Sequence, residues 1–322
     1  MSTLSKSPIR VARAALAAGA DALPSYAHRY SPRKFTQPQL FACLVLKEFE
    51  TKDYRGVAQL LTDCSDLRDA IGLKVVPHFT TLQKASRRLL KLAPVRKLLA
   101  ETVRLVHRRR KNVPFAAADS SGFDAHHASR YFVWRSDGGH RQPEAKRPEN
   151  KPKKRRHSYR RYGKLMLIVC CLSHAILAAV ASEGPTPDID QLDEVVAELP
   201  VDAVTVHHMV LDAGFDSSHN HHLLRDDHGI RSTIPPQSGR PFKDPTALPS
   251  DRYRRLMKTR FNTTAYRKRP QVETVFSMLK RNLGSALRAK TVHGRRRDLR
   301  LRVLTHNIAL ALLQVFYRAG RS

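Results

Sequence analysis

Six residues stand out by type and spacing. Tyr266, Arg269, Glu273 and Lys280 follow one another at intervals of three, four and seven residues, while Asp119 and Asp212 stand far upstream at the close of apolar segments. Three carboxylates that converge suit chemistry on a phosphodiester. Their hard oxygens bind Mg²⁺, which keeps several waters and takes substrate phosphate as a further ligand. Two such ions about 3.5–4 Å apart can activate an attacking oxygen and stabilise the leaving one. Arginine and lysine beside such a site add fixed positive charge, and the arginine fork can hold a phosphate through two parallel hydrogen bonds.

The elements that must carry these side chains can be read from periodicity. Val272, Val275, Phe276 and Leu279 fall at i, i+3, i+4 and i+7, which predicts an amphipathic helix over residues 270–283 with Pro270 in its first turn. Glu273 and Lys280 are then about 20° apart on one face, and Arg269 sits at the cap, outside the regular wheel. Val113, Phe115 and Ala117 alternate in a strand expected to end on Asp119. Apolar runs at 165–172 and 175–181, broken by Ser173 and His174, predict a β-hairpin. Asp188 is expected to cap a helix carrying Leu192, Val195 and Val196, and residues 204–211 form a strand ending on Asp212. Gly214 lets the chain turn away after that aspartate. A short helix stopped by Gly229, a strand at 230–234, a polar linker or lid over 237–260 and a last helix over 296–318 complete the pattern. Carboxylates at strand ends of an open α/β sheet converge on the crevice where ligands bind.

The order is strand, strand, strand, helix, strand, helix, strand, helix. A hairpin-led mixed sheet with helices on its faces is the topology of the ribonuclease-H-like fold, expected over residues 111–322. An all-α domain is expected over residues 1–110, with Asp53 as a cap and Gly72 as a stop. Its basic helix from Thr80, bearing Lys84, Arg87, Arg88 and Lys91, reads either as part of a helix-turn-helix or as part of a bundle for dimerisation.

Charge narrows the partner. Lys and Arg total 58 against 28 Asp and Glu, a formal net charge of +30. Such an excess repels itself in a compact state, so a polyanion is the expected partner, with DNA or RNA the default. The charge is densest in a polar loop over residues 124–162, where Lys153, Lys154, Arg155, Arg156, Arg160 and Arg161 crowd together. This loop is expected to face DNA. Its aromatics (Tyr131, Phe132, Trp134, Tyr159 and Tyr162) are expected mostly to pack on the sheet rather than stack on bases.

Other classes fit poorly. The four cysteines include no C-x2-C pair, which argues against a zinc knuckle or redox motif, and Cys170 and Cys171 read as small buried hydrophobes. His219, His221 and His222, with His207 and His208 nearby, lack a second matched ligand pair for zinc. Asp124, Asp137 and Asp216 read as turn or cap residues, and Glu194, Asp226 and Asp227 as solvated helix charges. The opening residues carry no apolar signal core, and the longest apolar stretch is too short to span a bilayer, so a soluble, cytoplasmic, nucleoid-associated protein is expected.

Taken together, Tyr266, Arg269, Glu273 and Lys280 spell Y-x2-R-x3-E-x6-K, which resembles the signature of one large group of bacterial insertion-sequence DDE transposases. Asp119 in Ala-Ala-Asp-Ser-Ser-Gly-Phe looks like the first catalytic aspartate of that family, and Asp212 in Val-Leu-Asp-Ala-Gly-Phe like the second. Glu183-Gly184-Pro185-Thr186-Pro187-Asp188 is similar to the family's pattern between them. The resemblance covers roughly residues 30–315; the long basic loop departs from it. It implies hydrolysis at each transposon end and attack of the freed 3′-OH on target DNA, with Mg²⁺ or Mn²⁺ as cofactor. Asp119 would contact both metals, and Asp212 and Glu273 would each complete one coordination sphere. Arg269 and Lys280 would hold phosphate, and Tyr266 would bind backbone or orient its neighbours. Double-stranded DNA, as terminal repeats and target, is the implied partner, with a homodimer assembling on it. A nuclease that cuts without joining and an inactive DNA-binding relic are the alternatives, and the intact signature argues against the relic. Deleting residues 151–161 should weaken duplex binding and flatten its dependence on salt. An unchanged slope of log affinity against log salt would remove this loop from the DNA interface.

Overall fold

A computed structural model describes residues 5–108, 110–125, 162–237 and 248–319, with side chains up to residue 312. The basic residues 153–156, 160 and 161, and the aromatics at 131, 132, 134 and 159, lie outside the described residues.

Among the described residues of the first third run six helices: α1 (Pro8–Ala22), α2 (Gln37–Phe49), α3 (Tyr54–Asp63), α4 (Ser65–Ile71), α5 (Phe79–Leu89) and α6 (Leu92–His107). Their ends are written locally. Thr36 and Gln39 form a reciprocal capping box on α2, and Asp53 accepts from the Gly56 N–H at 2.6 Å at the start of α3. Gly72 ends α4 in the left-handed region at φ +69°, where a side chain would be strained. α5 buries Leu82, Ala85 and Leu89 and leaves Lys84, Arg87 and Arg88 exposed.

Among the described residues, eight strands follow: β1 (Asn112–Val113), β2 (Ala116–Ala125), β3 (Tyr162–Cys170), β4 (Ile176–Gly184), β5 (Thr205–Val206), β6 (His208–Val210), β7 (Arg231–Thr233) and β8 (Ala286–Leu287). The main sheet has the order β4-β3-β2-β6-β7, with β8 against the far end of β2, and β1 pairs with β5 apart from it. β2, β3 and β4 are antiparallel; β6 and β7 join in parallel. The remaining α-helices among the described residues are α7 (Leu192–Ala197), α8 (Ser218–His222), α9 (Arg252–Thr259), α10 (Thr263–Tyr266), α11 (Pro270–Leu283) and α12 (Val292–Ala319). A mixed sheet with flanking helices is the expected α/β class and is compatible with a ribonuclease-H-like domain. No helix among the described residues is long and apolar enough to cross a membrane.

Several boundaries differ from expectation. Asp119 does not end its strand: β2 continues to Ala125, and its ladder with β3 runs through Phe123 opposite Gly163. Pairing along that whole edge overrides the weak strand preference of Ser120, Ser121 and Gly122. The run at 204–211 is two short strands in two different sheets. The polar stretch at 237–260 contains helix α9, which Asp251 caps by accepting from the Tyr253 and Arg254 N–H groups. Tyr162 does pack on the sheet, and its ring lies so close to Gly122 and Gly184 that a methyl group added at either would run into it.

Long-range bonds bind the helices to the sheet. α12 packs on α1, α2 and α6 as well as on β3 and β4. From it, Asn307 accepts from the Ile176 N–H at 2.9 Å and donates to the Ile176 carbonyl at 2.8 Å and to Thr102 at 3.2 Å. The side-chain amide thus completes backbone hydrogen bonding at the start of β4, an edge strand. Asp216, read as a turn residue, does close the turn after Asp212, and its carboxylate is also fully buried. It accepts from Arg254 at 2.9 and 3.1 Å and from the Gln237 N–H at 2.9 Å, pinning α9 to the end of β6.

Burial pushes the Asp216 carboxyl up, but the hydrogen bonds from Arg254 and the Gln237 N–H, with His221 3.7 Å away, outweigh it and hold it down at about 2. A depressed folded value means that its stabilisation is complete above the unfolded carboxyl range near 4 and is lost as pH falls towards 2. Asp216→Asn should therefore cost on the order of 2 kcal/mol near neutrality and progressively less between pH 4 and 2. Chemical denaturation across that range checks it, and a cost independent of pH would show that packing, not charge, holds the turn.

Candidate active site

Alternation along β2 sends Asp119, Ser121 and Phe123 to one face of the sheet and Ser120 and Gly122 to the other. α11 packs against β2 and β3, burying Val272, Val275, Phe276 and Leu279 beneath it. Arg269, at the cap of α11, reaches Asp119 at 2.8 Å. Farther along, Lys280 donates to Ser121 at 2.7 Å and lies 5.2 Å from the centre of the Phe123 ring. Helix and strand thus run side by side with cations over the polar positions.

Asp212 arrives from the other side. It follows β6, and its carboxylate accepts from the N–H of Ala213 at 2.7 Å, fixing the turn. Gly214 has open space around it. The Arg269 guanidinium lies 3.4 Å from Asp212 and also donates to Glu273, one turn into α11. One side chain therefore pairs with all three carboxylates. Asp119 and Arg269 are mostly buried, whereas Asp212 and Glu273 are more than half exposed. The convergence expected of Asp119, Asp212 and Glu273 is present, but the arginine that holds them together was expected on phosphate. The i, i+4 spacing of Arg269 and Glu273 was its one visible sign.

The electrostatics follow from this crowding. Burial pushes the Asp119 carboxyl above its ordinary range, and the charges of Asp188 and Asp212 add to the rise. The Ser120 N–H and the Arg269 guanidinium pull it back. Burial, then the Asp212 carboxylate, raises the Tyr266 phenol, which places that ring beside the acidic group. Tyr266 packs edge-on against Phe261 at 5.3 Å.

Behind β2 lies a second charged layer. Asp188 makes no cap to its helix; it pairs with Lys164 and accepts from Ser120 at 2.6 Å. Lys164, buried on β3 one pair from Ser121, also donates to the Thr186 carbonyl. Sequence reasoning passed over Lys164 and Ser121; a lysine opening an otherwise apolar strand was the available signal. The histidines have other partners: His219 pairs with Asp193, His221 with Ser232, and His222 with Asp226 and Asp251. Asp226 is therefore no freely solvated charge, since Arg252 and Tyr253 also donate to it.

Across residues 114–308 the chain matches the family model described as a transposase DDE domain. The chain belongs to that family. No curated protein matches it. In this DDE domain the three candidate acids come from β2, the turn after β6 and α11, so the matched region spans every element that forms the site. An all-oxygen donor set with excess negative charge fits a hard divalent cation in kind. Among the described residues, no three His, Cys, Asp or Glu side chains stand close enough together to hold one ion as they are.

Arg269→Ala removes the cation common to the three acids. The variant should lose about 1–3 kcal/mol at pH 7, where Asp119 is ionised, and less near pH 3, where that carboxyl, raised by burial, is protonated and no longer needs the cation. Thermal melts at the two pH values check this; equal losses would mean that the arginine stabilises through packing.

Proposed function

We propose that this DDE domain belongs to a DNA transposase that hydrolyses phosphodiesters at transposon ends and transfers the freed strands into target DNA. The carrying observation is the meeting of Asp119, Asp212 and Glu273 around one cationic centre, with Lys280 alongside. Three acids would not be drawn together for stability alone, because each raises the cost of ionising the next. Asp119, Asp212 and Glu273 would hold Mg²⁺ (or Mn²⁺), which would supply positive charge to activate the attacking oxygen and neutralise the leaving one.

The chain's own groups do the rest. The Arg269 fork, beside the acids, would hold phosphate oxygens, and Lys280 would present a second positive charge farther along the helix. Tyr266 orients these neighbours from the turn before α11. No protein nucleophile is required, since water and then a 3′-OH attack phosphorus. The ribonuclease-H-like domain spans residues 111–322, and the helices of residues 1–110 serve DNA binding, dimerisation or both. The basic residues Lys153, Lys154, Arg155, Arg156, Arg160 and Arg161 add contacts to the phosphate backbone. A homodimer on double-stranded DNA pairs the two ends, in the cytoplasm and at the nucleoid.

Labelled DNA carrying the element's own ends tests this reading. Wild type should cut and join it with Mg²⁺ and not with EDTA. Asp119→Asn, Asp212→Asn and Glu273→Gln should each lower both steps by more than about 10²-fold while retaining DNA binding. Cutting without joining would make the protein a nuclease, and binding with no cutting in any metal would leave a DNA-binding relic.

A further inference from the structure

A large concavity lies away from the carboxylates. It is a cleft of about 600 Å³ between the N-terminal helices and the far end of the catalytic face. Its walls come from the end of α2, residues 51–54, α5, the end of α11, the segment around β8 and the first turns of α12. Seven Lys and Arg side chains line it against three carboxylates, and those three are already engaged. Glu48 is paired with Lys47 and Arg302, Asp53 caps α3, and Asp298 accepts from the Ala289 N–H. By contrast, Lys52, Arg87, Lys290 and Arg297 meet no carboxylate among the described residues, although the first three are exposed. Four uncompensated cations converging on one cleft repel one another, so the cleft is built for an anion.

We propose that this cleft holds the phosphodiester backbone of the bound DNA, beyond the scissile phosphate; the inference rests on the DNA reading above. Position decides in favour of a continuing strand. α11 begins beside Arg269 and ends at Leu283 on the cleft wall, and its 14 residues span about 20 Å. Lys280 lies between, facing the same side as the acids. With phosphates about 3.4 Å apart along the axis on each strand, the cleft would meet the backbone roughly six base pairs from the cut. β8 pairs with the end of β2, so the strand that carries Asp119 leads directly to this cleft.

Two measurements on the full chain test it. In the first, the quadruple variant Lys52→Gln, Arg87→Gln, Lys290→Gln and Arg297→Gln is compared with wild type on a 30-base-pair duplex across a salt series. Each phosphate that the variant no longer neutralises should make the log–log slope shallower by about 0.9, so a decrease of roughly 2 to 4 is expected. In the second, acylation of wild-type lysines is mapped by mass spectrometry, which needs no variant to fold. Duplex should protect Lys52 and Lys290 but not Lys97, exposed on α6. A wild type that binds no duplex would overturn the DNA reading and this inference with it. A wild type with a steep slope, matched by the variant and without protection of Lys52 and Lys290, would overturn only the cleft. Equal protection by inorganic phosphate at the same ionic strength would make it a small-anion site and also overturn the proposal.

Discussion

Three carboxylates cannot share one corner of a protein without positive charge between them, and here that charge is the guanidinium of Arg269. At ordinary separations each ionised acid makes the next harder to ionise, and partial burial of Asp119 steepens the cost. Arginine suits the task better than lysine. Its planar fork reaches Asp119 and Asp212 from one nitrogen and Glu273 from another. The placement of β2, the turn after β6 and the first turn of α11 all follow from bringing their acids to this group. It also explains why the cap of α11 carries no ordinary capping side chain: Arg269 occupies it, with Pro270 in the first turn where a missing N–H costs nothing.

β2 acts as a two-sided rack. One face presents Asp119, Ser121 and Phe123 to Arg269, Lys280 and Arg302 in turn, with the Arg302 guanidinium 5.5 Å from the Phe123 ring. The other face presents Ser120 to Asp188, which Lys164 holds in place. The Ser120 N–H also donates to the Asp119 carboxylate at 2.8 Å. A side-chain bond on the back of the strand and a backbone bond on its front are therefore made by one residue, and together they restrict how Asp119 can turn. Strand pairing beyond the aspartate supplies the stiffness this needs.

Much of this was legible in the residues, for identifiable reasons. Helix α11 follows from the 3.6-residue apolar period, and the hairpin of β3 and β4 from two apolar runs about a short break. Asp53 and Gly72 announce a cap and a stop by residue type alone. The illegible parts share a cause, which is that a partner distant in sequence decides them. β2 runs past Asp119 only because β3 pairs with it; Asp188 leaves its helix uncapped because Lys164 competes for its carboxylate; and α9 is fastened through Asp216 across 38 residues. The carboxylate convergence was expected from the strand ends that carry Asp119 and Asp212 and from the family resemblance of the signature, yet the binding of all three acids by Arg269 is tertiary geometry that no spacing encodes.

The same reasoning bears on how the N-terminal helices are held to the site. Glu48 on α2 is buried with Lys47 and bonded at 2.9 Å by Arg302 of α12. Arg302 also donates at 2.7 Å to the carbonyls of Gly284 and Ala286, at the end of α11 and in β8. Against the cost of burial, Lys47 and Arg302 hold the Glu48 carboxyl below its usual range, so both sides of the contact remain charged. Such a buried cluster adds little net stability over apolar packing, but loss of one partner strands the others and costs about 3–5 kcal/mol. Its effect is therefore to select one docking geometry and reject neighbouring ones. Because Arg302 bonds the backbone where α11 ends and β8 begins, the geometry it selects also fixes α2 against the helix that carries Arg269, Glu273 and Lys280. The N-terminal helices are thereby held in a set register with the three acids.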